Sequence, residues 1–133
     1  MQKEHLLPLR IYHEDVDIYG MVYHANHLKF MERGRSEWLI ERGVDQQKLL
    51  SPGISFAIHS VQIDYLRPIK FQDQIEVVTT VINAGKVSME FLQSLRMQDQ
   101  KEIVFCTGRT KIACLDKNFR PHILPSSIFS EKN

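Results

Sequence analysis

Residues 12–26 read Tyr12-His13-Glu14-Asp15-Val16-Asp17-Ile18-Tyr19-Gly20-Met21-Val22-Tyr23-His24-Ala25-Asn26, and what flanks this stretch decides the fold. Before it, residues 5–14 put Leu9, Ile11 and His13 on one parity and Arg10, Tyr12 and Glu14 on the other, the period-2 pattern of a strand. Pro8 suits the start or an edge of that strand. After it, residues 25–42 hold no proline and no β-branched run, and Gly43 stands where a C-cap belongs. At about 100° per residue, Leu28, Met31, Trp38 and Leu39 share one sector opposite Lys29, Arg33, Ser36 and Glu37, which predicts an amphipathic helix of about five turns. Arg35 falls inside the apolar sector, where an unpaired guanidinium is costly, and Glu32 three residues earlier is its expected partner.

Everything from Ile54 to Asp116 reads as strand. Phe56 and Ile58 hold even positions while Val61, Ile63 and Tyr65 hold odd ones, so a β-bulge is expected at His59 and Ser60. Residues 73–83 form another strand, Ala84-Gly85-Lys86 a hairpin turn, residues 87–97 a third, and Asp99-Gln100 turns the chain into a last strand over 102–116. Ser126-Ser127 can cap a short terminal helix. Strand, helix and four further strands joined mostly by short turns define an α+β class, with a five-stranded antiparallel sheet curled round one long helix. Open sheet edges leave a route to oligomerisation.

The chain has 133 residues, 43% hydrophobic and 25% charged, which suits one domain over 1–133. Seventeen Lys+Arg against sixteen Asp+Glu give a net charge of +1, so no global field recruits a nucleic acid. The first residues are too polar and too short in apolar run for a signal peptide, and no segment is long and apolar enough for a membrane span; a cytoplasmic protein is expected. Cys106 and Cys114 lie eight apart in one strand, roughly 26 Å at about 3.3 Å per residue. That is far beyond disulfide reach, so both are expected to be reduced core thiols.

The junction between first strand and helix carries the chemistry. Strand parity, if the strand continues, puts His13, Asp15 and Asp17 on one side. A helix starting near His24 or Ala25 aims its free backbone N–H groups and the positive end of its dipole at the junction. A carboxylate facing such donors can act as base or nucleophile beside an oxyanion site. A metal enzyme is the alternative from the same residues: His13-x-Asp15 has the form of a His-x-carboxylate iron motif, with His59 or His122 as distal ligand. Against it, Asn26 stands in His24-Ala25-Asn26-His27 where a zinc peptidase needs its glutamate.

Taken together, residues 12–26, followed by Phe30, Glu32, Arg35 and Glu37, resemble the hotdog-fold acyl-CoA thioesterases of the 4-hydroxybenzoyl-CoA thioesterase type, nearest the bacterial Tol-Pal-associated, YbgC-type branch. The likeness extends through Ile63-Asp64-Tyr65-Leu66-Arg67-Pro68 with Asp73, and Arg120-Pro121, over nearly the whole chain. The resemblance implies hydrolysis of acyl-CoA, or of an acyl-carrier-protein thioester, without cofactor or metal, by a homodimer or homotetramer with sites at the subunit interface. It makes Asp17 the catalytic carboxylate, as nucleophile or general base, with His24 beside the reacting group. The oxyanion donors are then the backbone N–H groups of Tyr23 and His24, and Gly20, Val22, His59 and Arg67 are candidates for substrate contact. Arg67 and Lys70 are cations able to meet the phosphates of coenzyme A. The chain departs from the branch at His13, where a tyrosine is usual four residues before the aspartate; an imidazole there can orient the carboxylate and, as a residue type, titrates near neutral pH. A non-catalytic acyl-CoA-binding or acyl-carrier-protein-binding hotdog module is the reading outside enzymology.

Overall fold

Five strands and one long helix account for most of the computed structural model, which describes residues 3–129; the outermost residues of the expected domain, 1–2 and 130–133, lie outside it. The elements are β1 (His5–Arg10), α1 (Asn26–Glu41), a one-turn α2 (Gln46–Leu49), β2 (Ser55–Tyr65), β3 (Gln74–Ala84), β4 (Ser88–Met97) and β5 (Val104–Leu115). A 3-10 turn covers Ser126–Phe129, at the serines expected to start a terminal helix.

All neighbouring strands are antiparallel, in the order β1-β3-β4-β5-β2. The sheet wraps α1, which packs against β3, β1 and β4 in the hotdog arrangement. The register of β2 on β5 slips between Ile58 and Ser60, so the parity change seen in the sequence is a bulge at His59. Two further slips lie at Val81/Asn83 and Leu95/Arg96. Successive β2 and β3 are not neighbours but lie on different sides of β4 and β5. Residues 66–73 are therefore a crossing link rather than a turn, and that link helps to build the site.

The buried face of α1 is His27, Phe30, Met31, Gly34, Trp38 and Leu39. Leu28, expected inside, is 40% exposed. It lies on the same flank as Leu39, but Leu39 shares a cluster with Val44, Leu49, Ile54 and Phe56, whereas Leu28 belongs to neither buried cluster. Gly34 lets the helix approach the sheet: a Cβ there would lie 2.7 Å from Thr79 Oγ1 and Val77 Cγ1. Arg35 finds hydrogen bonds across the core, from its Nη1 to Gln93 Oε1 at 3.1 Å and Thr110 Oγ1 at 3.5 Å. Burial lowers its pKa and the nearby charge of Glu32 acts in the opposite direction, so the expected partner contributes through its field. Cys106 and Cys114 are free and buried, and burial pushes the Cys106 thiol up to about 12.

Candidate active site

β1 ends at Arg10, four residues earlier than the sequence pattern suggests, and His13–Asp15 form a 3-10 turn. Asp15 is the reason: its Oδ2 accepts from Tyr12 N–H at 2.9 Å and closes the turn on itself. Strand parity therefore does not place His13 beside Asp17. The His13 ring instead meets Phe71 edge-on, with centroids 6.0 Å apart.

Beyond this turn, Val16 pairs with Val22 and residues 17–21 form the tip of a short hairpin. Gly20 N–H donates to the Asp17 carbonyl (3.0 Å) and Asp17 N–H to the Met21 carbonyl (2.8 Å), with Gly20 at φ +77°, a tight turn followed by a left-handed residue. Asp17 Oδ1 accepts from the N–H groups of Tyr19 (2.9 Å) and Met21 (3.3 Å). Its Oδ2 makes no hydrogen bond to a described residue. The crossing link locks the hairpin in place through Val22 N–H to the Ile69 carbonyl (2.8 Å) and Phe71 N–H to the Gly20 carbonyl (3.0 Å).

Helix α1 starts immediately after the hairpin. Asn26 Nδ2 reaches back to the Asp15 carbonyl at 3.0 Å and ties the first turn to the junction. Tyr23 N–H is engaged by that same carbonyl at 3.2 Å, so of the two expected oxyanion donors only His24 is uncommitted. The backbone N–H groups of His24 and Ala25 make no hydrogen bond to another described residue.

Hairpin, helix start and crossing link border an open cavity of about 500 Å³ lined by Asp17, Met21, Val22, Tyr23, His24, His27, Tyr65, Leu66, Arg67 and Pro68. Of the residues singled out from sequence, Asp17, Val22, Tyr23, His24 and Arg67 meet here. Gly20 shapes the turn, His13 stands outside, and His59 lies at the bulge of the exposed edge strand, outside this cavity. From sequence, Met21, Leu66 and Pro68 carried no site role of their own, His27 entered only in the metal alternative, and Tyr65 stood as an apolar strand position within the run Ile63–Pro68. The run Ile63–Pro68 was the available signal for the crossing link. His27 is 3% exposed, and burial holds its pKa below the usual histidine value. Among the described residues no three His, Cys, Asp or Glu side chains converge as a metal site.

A sheet wrapped round a helix, with an aspartate sharing a cavity with that helix's N-terminus, defines a hotdog-fold protein. The profile of the thioesterase-like superfamily matches residues 11–128. The acyl-CoA thioester hydrolase YbgC of Escherichia coli O6:H1 is 30% identical over 93% of this chain and 92% of its own length. The acyl-CoA thioesterase YbgC of Haemophilus influenzae is 32% identical, over 91% of this chain and 88% of its own. Among solved structures, a probable thioesterase from Bartonella henselae superposes with a TM-score of 0.85 at 28% identity, covering 92% of this chain and all of that one. A 1,4-dihydroxy-2-naphthoyl-CoA thioesterase from Synechocystis reaches 0.86 at 17% identity over 95% of this chain and 96% of its own, a likeness of fold. The chain belongs to the thioesterase-like superfamily.

Proposed function

We propose that this thioester hydrolase cleaves acyl-CoA thioesters, with Asp17 as nucleophile or general base and the His24 backbone N–H as oxyanion donor. One observation carries the reading: Asp17 and His24, whose backbone N–H is uncommitted, border the same cavity. The thioester oxygen would accept from the helix start, where the dipole favours the negative charge that develops. Asp17, held through Oδ1, would use Oδ2 in one of two ways. It either attacks the carbonyl carbon, expelling the thiolate and leaving a mixed anhydride for water to open, or it takes a proton from an attacking water. Both routes give the free acid and coenzyme A. Met21, Val22, Leu66 and Pro68 supply apolar wall, and Arg67 the cation nearest to hand for a phosphate. Such a substrate fits a cytoplasmic enzyme, and an acyl-carrier-protein donor would use the same chemistry.

The test is thiol release by chelator-treated protein from acetyl-, hexanoyl-, palmitoyl- and benzoyl-CoA and from an acyl-carrier-protein thioester. Turnover of at least one is expected without added metal; release from none would favour the non-catalytic binding module. In Asp17→Asn, kcat should fall at least about 100-fold, as for loss of a positioned base. Asp15→Asn should keep most of it, since asparagine can still accept from Tyr12 N–H. The reverse pattern would assign the chemistry to Asp15.

A further inference from the structure

The start of α1 carries a polar arrangement that helix capping does not require. Tyr65 Oη, at the end of β2, donates to the His24 carbonyl at 2.7 Å, and His27 Nδ1 lies 3.2 Å from the same oxygen. A carbonyl only accepts, so Nδ1 carries the proton of the neutral ring. The two rings meet edge to face with centroids 4.8 Å apart, so each donor also holds the other. The His24 carbonyl precedes the N-cap Ala25 and accepts from no backbone N–H among the described residues, so these two side chains are its donors. Two side-chain donors converging on a carbonyl there satisfy none of the orphan N–H groups. Their effect is on the peptide unit to which that oxygen belongs.

That unit joins His24 to Ala25. Its planarity sets the N–H of Ala25 opposite the clamped oxygen, so holding the one aims the other. Hydrogen bonding to the carbonyl also polarises the amide and makes its N–H a stronger donor. The preceding unit is fixed in the same way, because the Tyr23 carbonyl accepts from Asn26 N–H at 2.9 Å. We propose that Tyr65 and His27 are positioning residues: by clamping the His24 carbonyl they aim and polarise the amide N–H groups at the start of α1, making Ala25 N–H a second oxyanion donor beside that of His24. The inference rests on the acyl-CoA thioesterase reading above and adds to it two side chains that need not touch the reacting atoms.

Tyr65→Phe removes one oxygen from a side chain that is 46% exposed, so the fold should survive, as a thermal melt will check. Because oxyanion donors act mainly in the transition state, kcat should fall about tenfold with KM changed less than about twofold. His27→Leu should lose a similar amount. In His27→Asn an amide N–H stands about where Nδ1 stood, so kcat should return to within about threefold of wild type, the rescue a packing role would not give. In Asp17→Asn protein, the carbonyl stretch of the fastest panel substrate, labelled with carbon-13 at the thioester carbon, should shift to lower frequency on binding. Adding Tyr65→Phe should reverse part of that shift. Wild-type kcat in both Tyr65→Phe and His27→Leu, or an unchanged carbonyl frequency, would overturn this inference alone. Release of thiol from no panel substrate by wild-type protein would overturn the function reading on which it rests.

Discussion

Two aspartates two positions apart show how the partners of a side chain, rather than its identity, assign its work. Asp15 turns its carboxylate on Tyr12 N–H and offers its carbonyl to Asn26, so it is committed to local structure on both sides. Asp17 is held through one oxygen and borders the cavity. His27 carries a consequence for stability. Burial lowers its pKa below 6.5, so as pH falls through 6.5 the unfolded chain takes up a proton that the native chain still refuses. Stability therefore declines with acidification across that window, until the pH passes the native pKa. Urea melts between pH 7.5 and 5.5 should show a shallower decline in His27→Asn than in wild type. A parallel decline in the two proteins would show that His27 does not contribute.

At the scale of elements, the contact of α1 with the sheet depends on one missing side chain. Alanine at position 34 would gain about 1 kcal/mol of helix propensity. Its Cβ, however, would lie 2.7 Å from Thr79 and Val77 and 2.9 Å from Gln93 Nε2, on strand residues that are themselves packed. Overpacking of this kind costs about 1–3 kcal/mol, so Gly34→Ala should destabilise by a net of about 1 kcal/mol despite its propensity. Chemical denaturation gives the sign directly. The helix itself was legible from periodicity and from Gly43 (φ +81°) after its end, and the β2 bulge from a parity change. The end of β1 was not legible. Alternation continued through Glu14, but the Asp15 carboxylate accepts from Tyr12 N–H, which faces the open edge of β1, and closes a 3-10 turn over His13–Asp15.

At the scale of the molecule, β1 and β2 are the sheet edges, and β2 exposes Ile58 (52%), Val61 (43%) and Tyr65 (46%). Apolar side chains along an open edge invite pairing with a second copy. Light scattering after gel filtration should give two or four times 15.6 kDa. A stable monomer at micromolar concentration would remove the edge-paired assembly, and with it any contribution of His59 to a neighbour's cavity.

By itself the sequence determined the elements and the neighbourhood of the chemistry, because hydrophobic period, turn residues and a contiguous motif are properties of adjacent positions. Asp17, Val22, Tyr23, His24 and Arg67 were named through the family resemblance that residues 12–26 and 63–68 carry, and all border the cavity. Tertiary structure alone decided that β2 leaves the meander for the far side of β5, that Arg35 bonds Gln93 rather than relying on its neighbour Glu32, and that Tyr65 and His27 converge on one carbonyl oxygen. Each is a meeting of groups distant in the chain; Tyr65 and His24 are 41 positions apart. Period and spacing describe which face a residue presents. Which oxygen that face then meets depends on how strands are ordered and how closely a helix can approach them.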